Sequence, residues 1–247
     1  MTRCLTLSLS LLLFGTVEHR GAQTTLTEGQ ALARDMRHTQ LLNHKQISGA
    51  LKTKGRRGKR SLKTLQLHTA LLADHWQSSF AATDPVNKET TILQISRSPS
   101  ERPRYFLGQT GETETVESLD EISPSEAMQP FAGTDFWIAD LGLEFFYWPE
   151  QRLLKEAKIK MRKGISCFVP QSERPAPDAT GYSRVRSWIS RDHGGLIYAE
   201  AYASDGQRVK TFEVADVEKI EGEWRIKELR IRDAVARSTT ELVFYNQ

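Results

Sequence analysis

Residues 182–245 alternate short strand-like runs with tight-turn signals, and no other stretch constrains the fold as strongly. The runs cover residues 184–190, 196–203, 208–214, 224–231 and 239–245, each rich in Val, Ile, Thr and aromatic side chains. Between them stand Ser190-Arg-Asp-His-Gly-Gly195, Ser204-Asp-Gly-Gln207 and Glu221-Gly222. Runs of this length joined by Gly-bearing turns read as an antiparallel meander. One face of such a sheet must be covered, and what covers it separates a closed core from an open cradle.

Upstream the strand pattern continues less regularly. Thr27-x-x-Gln30 has capping-box spacing with Leu26 as its staple, which predicts a helix to about residue 37 with Ala31, Leu32 and Met36 on one face. Residues 47–53 and 61–72 flank Lys54-Gly-Arg-Arg-Gly-Lys59, a long hairpin with a basic tip. Residues 75–82 and 89–97 are strand-like around the turn Asp84-Pro85-Val-Asn87, and 105–108 read as another short strand. Ser123-Pro124-Ser-Glu126 offers an N-cap, a first-turn proline and an acid for a short helix. Ala157, Ile159 and Met161 alternate with Lys158, Lys160 and Arg162, the period of a half-exposed strand. Residues 165–169 form a further apolar run, followed by a proline-rich loop over 170–180. The sum is roughly ten or eleven strands and two or three short helices. In 247 residues without a long linker, this predicts one domain over 23–247.

Residues 1–22 read as a signal peptide: Arg3 supplies the positive start, and residues 5–14 are apolar apart from Thr6, Ser8 and Ser10. The run is too short for a bilayer-spanning helix. No cysteine follows it in the position of a lipid-attachment site, so the expected product is a soluble exported, periplasmic protein. Only Cys167 then remains, inside an apolar run, where a buried inert thiol is expected.

Catalytic and metal-binding signatures are missing from the sequence. There is no Gly-x-Ser-x-Gly elbow, phosphate loop or dinucleotide fingerprint. His38, His44, His68, His75 and His193 are scattered without ligand spacing. Asp192-His193 and Asp74-His75 are acid–histidine pairs, but each reads more simply as an exposed turn. The expectation is a protein that is not an enzyme and holds no cofactor or metal.

Charge is segregated, although the net is only +3. Lys52, Lys54, Arg56, Arg57, Lys59 and Arg60 fall within nine residues. They form either a solvated tip that guards a sheet edge or a transient contact for an anionic membrane surface. Export argues against nucleic acid as the partner. Glu112, Glu114, Glu117, Asp120, Glu121 and Glu126 run without an intervening base and predict an acidic surface loop. Residues 136–148 are dense in aromatics, which serve either as core under the sheet or as lining of an apolar cavity.

Several motifs in fixed order resemble the outer membrane lipoprotein-sorting (LolA-like) family. Gly133-Thr-Asp-Phe-x-x-x-Asp-Leu141 comes first, then Trp148-Pro-Glu-Gln-Arg-Leu-Leu154, then Arg162-Lys-Gly-Ile-Ser-Cys167. Tyr182-Ser-Arg-Val-Arg-Ser-Trp-Ile189, Ala199-Glu-Ala-Tyr202, Asp205-Gly206, Lys210-x-Phe212 and Gly222-x-Trp224 follow. The similarity covers residues 130–247. It implies a mainly β fold with a few short helices: a strongly curved antiparallel sheet forming an open half-barrel. It also implies an exported carrier of lipidated proteins or lipid acyl chains, or alternatively an envelope-stress sensor or protein-interaction module of the same fold. The expected cavity-lining residues are Phe136, Trp137, Phe145, Ile197, Ala199, Ala201, Phe212, Leu229, Leu242 and Phe244. Strict alternation would put Ile197, Ala199 and Ala201 on one face and Leu196 and Tyr198 on the other.

Overall fold

A computed structural model of the chain describes residues 26–38, 46–72, 75–110, 118–155, 161–174, 181–220 and 222–245. The signal segment 1–22, Glu112, Glu114 and Glu117 of the acidic run, Asp74 and residues 156–160 lie outside them.

The described residues form one antiparallel sheet of fourteen strands. In chain order these are β1 Gln46–Lys54, β2 Arg60–Leu72, β3 His75–Thr83, β4 Thr90–Arg97, β5 Arg104–Thr110, β6 Asp120–Ile122 and β7 Glu150–Leu154. They continue as β8 Met161–Arg162, β9 Ile165–Glu173, β10 Arg184–Ser190, β11 Leu196–Tyr202, β12 Arg208–Ile220, β13 Glu223–Asp233 and β14 Ser238–Tyr245. The spatial order is β6-β5-β4-β3-β2-β1-β14-β13-β12-β11-β10-β9-β7, with β8 also on β9. The sheet is not closed, since its first and last strands do not pair. The meander continues past β14 into the N-terminal hairpins because β14 pairs with β1, Leu242 standing opposite Leu51.

Helix α1, Glu28–His38, starts at the expected capping box: Gln30 N–H donates to Thr27 Oγ1 at 3.3 Å and Thr27 N–H to Gln30 Oε1 at 2.9 Å. Its buried face is Gly29, Ala33 and Met36, one step round from the expected face, and Leu26 stays exposed. The shift follows from close packing on β7. A Cβ on Gly29 would lie 2.6 Å from the Gln151 carbonyl oxygen, so only glycine allows this approach.

Three expectations are corrected. Ser123 and Glu126 do exchange capping bonds, but the chain makes a single turn there and no helix. The stretch expected to be irregular contains β6, secured by the bidentate pair of Arg104 with Glu121 at 2.7 and 2.8 Å. Strand β9 runs through Pro170 to Glu173, where a loop was expected. The β9–β10 ladder has no pairs at Val169 and Pro170, which suits a residue lacking an N–H.

One face of the sheet carries a continuous apolar row. Leu107, Leu93, Phe80, Leu67 and Ile47 stand opposite one another in turn across β5, β4, β3, β2 and β1. Leu51, Leu242, Leu229 and Val214 do the same across β1, β14, β13 and β12. This face packs on residues 127–148, so the sheet wraps around that segment.

Candidate functional site

The covering segment is short and mostly irregular. It holds a 3-10 turn at Phe131–Gly133, a one-turn helix α2 at Ile138–Leu141 and a second 3-10 turn at Glu144–Tyr147. Phe131, Phe136, Ile138, Phe146 and Trp148 are essentially fully buried against the sheet. So little helix is not self-supporting, and its fixed place comes from tertiary bonds.

Those bonds form a polar latch under the aromatics. Asp140 accepts from the Trp137 N–H at 2.8 Å, from Tyr182 Oη at 2.7 Å and from Lys210 Nζ at 3.1 Å. Lys210 also donates to the Asp135 carbonyl at 2.8 Å, and its ammonium lies 3.6 Å from the Trp137 ring centroid. Trp137 stacks on Tyr182 with centroids 5.4 Å apart. The Asp135 carboxylate accepts from Thr240 Oγ1 at 2.8 Å and, in a short bond, from Ser238. Asp135 and Asp140 lie on the covering segment, whereas Lys210, Ser238 and Thr240 lie on the sheet. Burial pushes the Lys210 ammonium down and Asp140 opposes that. Burial, with Asp140 second, pushes the Tyr182 hydroxyl well up.

The second 3-10 turn is tied from both sides. Arg37 of α1 donates to the Phe146 carbonyl at 2.8 Å, and Gln151 of β7 donates to the carbonyls of Phe145 and Trp148 at 2.9 Å each. Glu144 is buried and accepts from Tyr105 Oη at 2.6 Å. Burial pushes the Glu144 carboxyl up, and the Tyr105 bond opposes it.

Two apolar hollows lie between segment and sheet and meet at Asp140, Leu143 and Phe212. The larger encloses about 590 Å³ of empty space open to solvent, yet the centre of a water molecule reaches only about 50 Å³ of it. That admits a few waters and no acyl chain. Phe136, Leu229, Leu242 and Phe244 line the larger hollow; Phe145, Ala199 and Ala201 line the smaller; Phe212 lines both.

Trp137 and Ile197 lie elsewhere. Trp137 is spent on the latch. Ile197 packs on the opposite face with Cys167, Val169, Trp188 and Tyr198. The cause is a β-bulge: Trp188 stands opposite Tyr198 and Ile189 opposite Leu196, which leaves Ile197 without a partner and reverses the parity. Leu196 therefore joins Ala199 and Ala201 in the smaller hollow.

All six cations of the β1–β2 tip are exposed. The β3–β4 and β13–β14 turns lie at the same end of the sheet, where Val86 and Val235 are 89% and 71% exposed. Asp192 and His193 are exposed in the β10–β11 turn, and Cys167 is buried. Among the described residues no helix is long and apolar enough to cross a membrane, and no three His, Cys, Asp or Glu are grouped to hold a metal.

A family model described as "-like: Uncharacterized protein" matches residues 79–247. The chain belongs to that family. Among solved structures it is similar to a DUF1329 family protein from Desulfovibrio piger, at 20% identity and TM-score 0.68 over 88% of this chain and 90% of that one. A domain named for outer membrane lipoprotein sorting from Vibrio parahaemolyticus gives 19%, 0.68, 88% and 90% in the same terms. A LolA superfamily protein from Nitrosomonas europaea gives 16%, 0.59, 90% and 93%. At these identities the likeness shows the fold, which is LolA-like. A search of curated proteins gives no match.

Proposed function

We propose that this protein is an exported, periplasmic carrier of lipids or lipidated proteins that acts in outer membrane lipoprotein sorting without catalysis. The observation that carries this is a mostly apolar sheet face covered by a short aromatic segment, with two apolar hollows between them and a polar latch at its edge. The name of the Vibrio parahaemolyticus domain, of the same fold, is consistent with such a role.

Cargo enters when residues 128–148 lift, because the hollows are too small for a chain as they stand. Lifting separates Lys210 from Asp140. Water then solvates both, which returns the desolvation cost of burying them, so the pair resists opening only weakly. An acyl chain replaces the aromatic contacts at about 0.8 kcal/mol per buried methylene. The basic tip brings the sheet end to an anionic bilayer, at about 1 kcal/mol per charge.

Native mass spectrometry of protein purified from the envelope tests this. A co-purifying lipid or lipopeptide is expected. A delipidated sample that binds no fluorescent fatty-acid probe would overturn the reading, and a stable protein partner without lipid would favour an interaction module of the same fold.

A further inference from the structure

We propose that Arg97 is a buried binding site for the oxyanion head of an amphiphile, a carboxylate or phosphate carried on an acyl chain. The inference rests on the carrier reading and names the chemistry of its cargo.

Arg97 ends β4. Leu93, Ile95 and Arg97 are buried in alternation, so an arginine holds a place on the concave row that the pattern reserves for an apolar side chain. It is only 7% exposed, yet among the described residues its Nε and Nη2 find no acceptor. Glu144 is taken by the Tyr105 hydroxyl, and among the described residues no ion pair joins it to Arg97. The Tyr147 hydroxyl is likewise buried without a partner among the described residues. Tyr105 stands opposite Ile95, two residues before Arg97 on the same strand, and Arg97 and Tyr147 each act on it electrostatically. Buried guanidinium N–H groups without acceptors are costly, and native folds keep few unpaired polar groups of this kind.

The position suits a head group. Ile95 stands opposite Ser78, which lines the larger hollow beside Thr69. Arg97 lies two residues beyond Ile95, about 7 Å further along the same row. A chain lying between Phe80, Leu229 and Leu242 would pass Thr69 and Ser78 and bring its head to Arg97. The planar guanidinium fork matches the two oxygens of a carboxylate or phosphate.

Calorimetry on the delipidated full chain at pH 8 tests this with lauric acid, dodecyl phosphate, dodecanol and inorganic phosphate. The two anionic amphiphiles are expected to bind at least about tenfold more tightly than dodecanol, and inorganic phosphate far more weakly than dodecyl phosphate. Arg97→Met is expected to bring the acid-to-alcohol ratio close to one, with Arg97→Lys intermediate and Tyr147→Phe narrowing it. Should the methionine variant not fold, the lysine and phenylalanine variants carry the same comparison. An unchanged ratio in the variants overturns the proposal, as does phosphate binding as tightly as dodecyl phosphate. If the wild type binds acid and alcohol equally, the anion site falls and the apolar carrier stands. If no twelve-carbon chain binds, both fall.

Discussion

Lys210 Nζ sits 3.1 Å from Asp140 Oδ2, the lysine side chain 2% exposed and the aspartate 11%, and this pair joins the covering segment to the sheet. The two residues belong to motifs seventy positions apart. Asp140 closes the Asp135-Phe…Asp140-Leu element, and Lys210 opens Lys210-x-Phe212. Their pairing ties the two motifs together in space: one supplies the strap and the other its anchor.

Removing one partner leaves the other buried without its counter-charge. Lys210→Met or Asp140→Asn is expected to cost about 3–5 kcal/mol. The double variant should cost clearly less than the sum, because neither group is then stranded. Denaturant unfolding of the four proteins measures the coupling. Hydrogen exchange should show residues 131–148 opening more readily in the single variants. Additive costs would mean that the pair is not the fastening.

Much of this could be read from the residues. The meander, the basic hairpin and the capping box at Thr27 are local, set by turn glycines and short-range side-chain bonds, and they lie where the pattern predicts. The face of β11 was not legible: its alternation breaks at Ile197, and a bulge depends on how β10 meets β11 rather than on β11 alone. Pro170 misled for the same reason, since a proline ends a strand only where the ladder needs its N–H. Lys210 and Arg97 stayed hidden because a charged residue inside a strand reads as solvent-facing. Only the register places them on the inner face, Lys210 opposite Ala201 and Arg97 opposite Trp76.

Glu144 predicts a pH dependence. Its folded pKa is raised by burial, so the protonated form suits the fold, and stability is lost as pH rises through that value. Glu144→Gln keeps an acceptor for Tyr105 and carries no charge. Its stability advantage over the wild type should be small near pH 4 and larger at pH 7, read from denaturant midpoints at the two values. A gap that shrinks with rising pH would mean that Glu144 gains more from its neighbours when charged than burial takes away.

Filling the smaller hollow separates cavity from core. Ala199 is 5% exposed, stands opposite Phe212 and lines that hollow. Ala199→Leu is expected to fold, at a cost of about 1–3 kcal/mol for overpacking. It should weaken a fluorescent acyl probe by about tenfold, equivalent to about 1.4 kcal/mol. Unchanged probe affinity in a folded variant would place the chain away from β11.

The basic tip makes the remaining prediction, at the other end of the sheet from Arg97. Lys54, Arg56 and Lys59 can become glutamine, and Arg57, whose φ is 61°, is best replaced by asparagine, which tolerates that left-handed backbone. All four are exposed, so stability should change by no more than about 0.5 kcal/mol at each position. Binding to vesicles rich in phosphatidylglycerol should fall by about 1 kcal/mol per charge, roughly a thousandfold for four at low salt. The wild-type protein should lose the same binding as salt is raised, because the interaction is screened over about 8 Å at physiological ionic strength. Sedimentation with vesicles, with and without the anionic lipid, reads both effects. If the four-residue variant sediments like the wild type, the tip is a solvated edge guard, and membrane contact must come from another surface.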